Sequence, residues 1–362
     1  MAKNRFAFLR TKKYLGVDVG YNSVKLALVR GGQVLKTASV PMPVNLLREG
    51  RITSVEAMGE LLQNAVKAHK LNASLAAVVL SGENSYMRTT TVPRMTAEQM
   101  AINLPYEFSD YITDELKNYT FDFAVVDREE APADAEAGAE NPEDQEEAER
   151  LANTMDVLAA AAATEVLDEY RAVLRKAGMK MAKAAPPECA FINLIRSYQA
   201  RTGCPRDQEY CVLDLGFWSI RMCMFKGDRH VVTRILEIGL SALDDVLAEA
   251  MNVDVHLAHT YLKTNYENCQ ESEMARNTFD NMAVELMRAL NFYRFSNPDS
   301  HLNDVWLCGG GANIPQVTRA ISESVAIPSS DISELLPAEA RNADNATSCA
   351  LAFGGILEGE AM

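Results

Sequence analysis

Two aspartates and two glycines, set in a stretch written twice, carry the chemistry this chain can do. Val17–Val29 reads VDVGYNSVKLALV and Leu213–Phe225 reads LDLGFWSIRMCMF. Asp18 matches Asp214, Gly20 matches Gly216, Tyr21 matches Phe217, Ser23 matches Ser219 and Lys25 matches Arg221. Asn22 against Trp218 is the clear mismatch. Each copy reads as an apolar strand, an Asp-x-Gly turn and a strand running back. Glycine lets the backbone bend without a Cβ clash, so successive N–H groups can point into one concavity that suits a phosphate. The aspartate at the strand end suits a water on Mg²⁺, which keeps several waters when it binds phosphates. Either turn alone is also an ordinary hairpin; the position-by-position duplication is what points to a pair clamping one nucleotide.

Other residues offer less. Gly309, Gly310 and Gly311 stand between a predicted strand, Val305–Cys308, and a helix predicted from about Ile314. Backbone there can approach a flat or charged ligand closely, although a packing turn explains the glycines equally well on their own. They do not form Gly-x-Gly-x-x-Gly, and no acidic residue follows at dinucleotide-binding spacing. Gly239 and Leu240 precede Ser241, read as an N-cap, so the helix Ser241–Met251 could turn its N-terminus to a phosphate. His256 and His259 share a helix face, but no further ligands cluster nearby, and a surface or half-buried pair is the expectation. There is no Gly-x-Ser-x-Gly and no Walker lysine loop.

The elements that must hold these residues follow a repeated order. Gln33–Val40 continues the first meander, a helix opens at Thr53 with Glu56 as a capping box, and Leu75–Leu80 returns as a buried strand. Met87–Val92 is a strand, Thr96 with Gln99 caps a helix that Pro105 ends or kinks, and Tyr119–Val126 is another strand. Asp156–Ala163 is a strand, followed by a helix capped at Thr164 and ended near Gly178. Cys189–Ala200 is a helix. After the second hairpin, His230–Ile238 is its third strand. Helices are expected at about Asp254–Asn265 and Ala275–Phe295, and a last Ala-rich helix at Asn345–Leu357.

Composition sets bounds. A chain of 362 residues, 48% apolar, is long enough for two lobes with real cores. The net charge is −15, of which −9 lies between Asp127 and Arg150, leaving an ordinary surface elsewhere. That acidic stretch lacks large apolar residues and reads as a surface loop. With no basic stripe, nucleic-acid binding is not expected. Seven cysteines with no Cys-x-x-Cys spacing suit a reducing compartment. Met1–Lys13 is a basic tail without the apolar core of a signal peptide, and no apolar run approaches membrane-spanning length.

This order of parts resembles the actin/Hsp70/sugar-kinase superfamily and, within it, is similar to PilM, the actin-like family of type IV pilus assembly proteins related to FtsA. The residues that carry this are Gly16–Val29, Arg88–Tyr111 (RTTTVPRMTAEQMAINLPYEFSDY), Val157–Met179, VLDLG at Val212, LNFYRF at Leu290 and WLCGGGANIP at Trp306. The resemblance implies an α/β, actin-like ATPase fold: two ribonuclease-H-like lobes with an FtsA/PilM-type inserted subdomain. It implies a basic tail at 1–13, a first lobe at 14–84 and 164–203, and the inserted subdomain at 85–163 with its acidic loop at 127–150. The second lobe would comprise a core at 204–240 and 289–334 and a helical part at 241–288, with 335–362 returning to the first lobe.

By the same resemblance the ligand is ATP with Mg²⁺. Asp18, Gly20, Asn22, Ser23 and Lys25 would form one phosphate loop, and Asp214 and Gly216 the other. Asp18 and Asp214 would hold the metal through water. Gly239 would lie by the phosphates, Lys263 by the adenosine, and Gly309, Gly310 and Gly311 against the adenine and ribose. The implied partners are the cytoplasmic N-terminal peptide of a PilN-like membrane protein, in a groove beside residues 85–163, and other components of the pilus platform, with self-association also within the family's range. The implied place is the cytoplasmic, inner face of the cell membrane, reached through the partner. The sequence departs from the pattern at Phe217 and Trp218, where small residues are usual, at Thr260, where a Glu is frequent, and at Gln316, where a Gly is frequent. No catalytic base can be named, and turnover is expected to be weak at most. The alternatives are a small-molecule kinase of the superfamily and an FtsA-like filament former; the acidic ending LEGEAM speaks against the latter's basic amphipathic helix.

Overall fold

A computed structural model describes residues 12–43, 45–48, 50–126, 152–325 and 327–357. The basic tail up to residue 11, the acidic stretch and the last five residues lie outside it.

The duplicated unit builds two five-stranded sheets. In the first, β1 (Lys13–Val19), β2 (Ser23–Arg30) and β3 (Gln33–Pro41) form the antiparallel meander that apolar alternation predicts. A short ribbon, β4 (Leu47–Arg48) with β5 (Arg51–Ile52), leads to helix α1 (Val55–Ala68). The cap of α1 falls one residue later than the sequence suggests: the Ser54 side chain accepts from Ala57 N, while the Thr53 hydroxyl donates to Asn45 O. Strand β6 (Leu75–Val79) then runs parallel to β1.

The inserted subdomain follows. It comprises β7 (Ser85–Pro93), α2 (Ala97–Asn103), β8 (Tyr119–Val126) and β9 (Thr154–Ala163), with sheet order β7-β9-β8. Thr96 and Gln99 form the expected capping box, and α2 gives way to a 3₁₀ turn with Pro105 near its start. Helix α3 (Thr164–Lys176) begins at Thr164, but the Thr164 hydroxyl pairs with Thr120 rather than capping the helix. Strand β10 (Lys180–Ala185) joins the first sheet beside β6, completing the order β10-β6-β1-β2-β3.

Helix α4 (Pro187–Thr202) connects to the second sheet, whose strands are β11 (Glu209–Leu215), β12 (Ile220–Lys226), β13 (Arg229–Leu236), β14 (Val305–Cys308) and β15 (Ser329–Asp331). Their order is β13-β12-β11-β14-β15, with β11 paired antiparallel to β12 and parallel to β14. That copies the relation of β1 to β2 and β6. Helices α5 (Ser241–Met251), α6 (Val255–Thr264), α7 (Glu273–Ser296) and α8 (Pro315–Val325) pack on this lobe. The chain returns through α9 (Ala338–Arg341) and α10 (Ala350–Gly354), the latter shorter than the Asn345–Leu357 expected.

Each lobe has its own core, and a third core joins them. It brings Ala27 and Val29 of the first sheet together with Val212, Phe225 and Trp306 of the second, around Phe191 of α4 and Phe353 of α10. The approach of α10 to β1 is close enough to require glycine: a Cβ on Gly16 would lie 1.8 Å from Ala352 O.

Candidate functional site

The two Asp-x-Gly turns have the same backbone geometry. Gly20 N donates to Ser23 O at 3.1 Å, and Gly216 N donates to Ser219 O at 3.1 Å. β1 is registered on β2 so that Asp18 lies opposite Lys25, and β11 on β12 so that Asp214 lies opposite Arg221. The duplication therefore places an acid and a base side by side at the end of each sheet.

These four side chains meet between the two lobes. Lys25 Nζ lies 3.4 Å from Asp18 Oδ2. Burial works against the charge on Lys25, but Asp18 and then Asp214 outweigh it, and its pKa stands above the usual lysine value. A Cβ on Gly20 would lie 2.6 Å from Lys25 Nζ, so the glycine gives the ammonium its room. Burial pushes Asp214 above the usual carboxylate value, against the pull of Arg221 and Lys25, and Asp18 adds to the rise. Arg221 in turn pairs with Glu188 of α4 at 3.2 Å, with both side chains largely buried. Acids and bases thus alternate between the lobes: Asp18, Lys25, Asp214, Arg221, Glu188.

Glycines line this row where side chains would collide. Gly309 has φ +83°, and a Cβ there would lie 2.4 Å from Asp214 Oδ1. Gly311 approaches Leu215, and Gly310 sits beside Leu240. Gly82 lets the first lobe lie against the Arg221 guanidinium, 1.9 Å from where its Cβ would be.

On the second lobe, Lys263 of α6 is close enough to feel both Asp244 and Lys25. Burial lowers its pKa, Asp244 opposes that, and Lys25 adds to it. Asp244 is buried, and its Oδ2 bonds His259 Nδ1 at 2.8 Å. Burial raises Asp244 above the usual carboxylate range against this hydrogen bond. His256 is exposed and His259 partly buried, in line with the structural role expected of the pair.

Ser241 does not cap α5 as read from the sequence. It is the first helical residue, and the turn supplies the cap: Leu240 N donates to Gly216 O at 3.2 Å and Ser241 N to Phe217 O at 2.8 Å. Gly239 permits this, since a Cβ there would lie 2.3 Å from Phe217 O. Asn22 and Ser23 sit at the tip of the first turn, where Asn22 O accepts from Met42 N and Ser23 opens β2.

Sequence reasoning missed Glu188 and Tyr21 as cleft residues. Arg221 was legible through its match to Lys25; Glu188 follows Pro186 and Pro187 with no motif around it. The Tyr21 hydroxyl donates to Glu83 Oε2 at 2.9 Å and accepts from Gly50 N at 2.7 Å, and its ring meets Trp218 edge-on at 5.8 Å. A cavity of about 750 Å³ opens beside these rings, lined also by Arg48 and Glu83.

A second cavity, of about 710 Å³, lies between the first lobe and the inserted subdomain. Its walls include Arg51, Asn84, Tyr86, Asp114, Lys117, Tyr119, Glu165 and Asp168. Arg51 is held in place by Glu169 and Glu165 of α3. Four acids, Glu83, Asp114, Glu165 and Asp168, face two bases in this groove.

No helix among the described residues is long and apolar enough to cross a membrane. The sequence model of the family described as "Type IV pilus assembly protein PilM" matches residues 16–139 and 143–344. Among solved structures, the chain is similar to one described as "PilM-PilN type IV pilus biogenesis complex". The TM-score is 0.76 at 21% identity, over 95% of this chain and 97% of that one. It is also similar to the ethanolamine utilization protein EutJ from Carboxydothermus hydrogenoformans. There the TM-score is 0.55 at 12% identity, over 96% of this chain and 90% of that one. The fold is the actin-like ATPase fold.

Proposed function

Because the chain belongs to the PilM family of type IV pilus assembly proteins, we propose that it is an adaptor of pilus assembly that holds the cytoplasmic N-terminal peptide of a PilN-like membrane protein. The groove between the first lobe and the inserted subdomain is the seat of that peptide. The observation that carries this reading is the groove itself, about 710 Å³, with both polar side chains and the rings of Tyr86 and Tyr119 in its walls. The PilM-PilN complex, to which the chain is similar, pairs two such proteins. The family match favours an adaptor over a kinase or a filament former. Association with the inner face of the membrane then runs through the partner.

The excess of acids over bases in the groove suits a peptide carrying its free N-terminal amine and basic side chains. Asp114 and Asp168 are exposed on its two sides. Reversing both to Lys leaves the fold intact, because exposed pairs contribute little to stability. It weakens the peptide by about tenfold or more, since like-charge contacts at an interface cost on the order of kcal/mol. Fluorescence anisotropy with a labelled N-terminal peptide of a PilN-like protein checks this. Wild-type affinity in the double variant, or no binding by the wild type, removes the groove from the account.

The second part of the proposal is an adenine nucleotide with Mg²⁺ across the cleft, setting the closure of the lobes. The residues fit the group: Asp18 and Asp214 converge on one cation, Lys25, and Gly309 and Gly311 bring backbone up to Asp214 and Leu215 where a side chain would collide. Bound there, Mg²⁺ would neutralise phosphate charge. Lys25 would hold phosphate oxygens, Lys263 would lie toward the nucleoside, and Gly309 would keep the wall beside Asp214 free of side chain. A nucleotide that contacts both lobes favours the closed form by its differential affinity.

A further inference from the structure

We propose that the N-terminal peptide of the PilN-like partner does not stop at the groove but continues as an added strand on the outer edge of β8. This rests on the groove reading above and deepens it, by naming how the peptide is held. The inserted sheet has the order β7-β9-β8, so β7 and β8 are its two edges. The β7 edge meets the second lobe, where Thr89 donates to His230 O at 3.2 Å. Among the described residues, no strand pairs with the other side of β8.

An edge strand presents a row of main-chain donors and acceptors, and proteins commonly blunt it with Pro, Lys, a bulge or a very short length. β8 uses none of these. It has 8 residues, YTFDFAVV, and pairs with β9 without a register shift. That gives about 26 Å of continuous edge. One amide shows which groups face outward: Phe123 N donates to the neighbouring Asp122 Oδ1 at 2.9 Å, which turns that amide away from β9. Alternate residues of an antiparallel pair turn their N–H and C=O away from the partner strand, so Phe121 and Val125 face outward with Phe123.

The groove supplies the occupant. Its walls include Asn118 and Tyr119, and Tyr119 is the first residue of β8. A chain leaving the groove at Tyr119 therefore arrives at this edge. Its amino end stays among Glu83, Asp114, Glu165 and Asp168, so the chain runs parallel to β8. Added strands of this kind draw affinity from main-chain hydrogen bonds and specificity from alternate side chains. Phe121 and Phe123 are half-buried and Val125 is 58% exposed on one face of β8, so apolar residues of the peptide would alternate beside them.

The test follows amide hydrogen exchange in the full chain, with and without saturating N-terminal peptide of a PilN-like protein. It also measures the affinity of that peptide for the wild type and for Val125→Pro. Proline is tolerated on an edge strand where the missing N–H faced solvent, and a thermal melt verifies the fold. If the variant unfolds, exchange in the wild type still decides. The peptide slows exchange at Phe121 and Val125, and the loss of one main-chain bond weakens binding to Val125→Pro by about fivefold. A peptide that binds without slowing those amides overturns the inference and leaves the groove standing, as does full affinity in the folded variant. Slow exchange there before any peptide is added also overturns it, because the chain's own residues would already occupy the edge. No binding by the wild type overturns the groove reading and this inference with it.

Discussion

Replacing Glu188 by alanine would leave the Arg221 guanidinium buried beside Asp214 without its pair, and breaking a largely buried ion pair in this way costs about 3–5 kcal/mol. Urea unfolding of Glu188→Ala checks it; a loss below about 1 kcal/mol would mean water reaches the guanidinium freely. Asp214 behaves in the opposite way. Its pKa is raised, so its favourable contribution belongs to the protonated form and is lost as pH rises through the raised value. At neutral pH the carboxylate is a cost to the empty fold. Asp214→Asn therefore melts no lower than the wild type without ligand, yet loses nucleotide-induced stabilisation. A drop in its unliganded melting temperature would contradict that. These acid–base pairs were legible in sequence because the turn is written twice. Glu188 was not, because nothing local marks it, and Tyr21, although it lies in the duplicated turn, was not because its partners Glu83, Gly50 and Trp218 lie in other elements.

Strands and caps show where local pattern suffices and where it fails. The hairpins, β8 and the capping box at Thr96 are where apolar alternation and cap residues put them. Strand β10 was not foreseen, since its sequence KMAKAA lacks β-branched residues and is held by pairing with β6. The last helix was expected too long, because alanine content signals propensity but not the turns that break 345–349 from α10. On β13, His230 is buried with Nε2 against Thr233 and its ring on Phe225. Burial lowers its pKa from 6.5, against the charge of Glu188. Stability is therefore present above about pH 6.5 and lost as pH falls through the lowered folded value. His230→Gln should remove that acid-side slope, seen as a flatter plot of melting temperature between about pH 7 and pH 5. An unchanged slope would assign it to other groups.

At the scale of the molecule, two sheets with the same strand relations are joined by a shared core around α4 and α10, and the third sheet stands on the first lobe beside β13. Thr89 of β7 donates to His230 O, so the inserted subdomain touches both lobes. A peptide in the proposed groove and a nucleotide at the proposed site would both bear on how the lobes meet, and Glu83 lines both the groove and the cavity beside Tyr21 and Trp218. Linkage then requires that each ligand change the affinity of the other by the same factor. Calorimetry of the peptide with and without saturating Mg²⁺-ADP would show a shift of about fivefold or more, the size at which such coupling is usually recognised. Identical affinities would mean that the two sites are independent.

The measurement that bears most directly on a single cleft closed by two copies of one turn is the thermal shift given by Mg²⁺-ADP in wild type, Asp18→Asn and Asp214→Asn, each against its own unliganded melt. The wild type should rise by several degrees at about a hundredfold excess over the dissociation constant. Both variants should lose most of that rise, although they stand 196 positions apart in the chain. A wild-type shift that either variant retains in full would contradict the account, because one of the two turns would then lie outside the site.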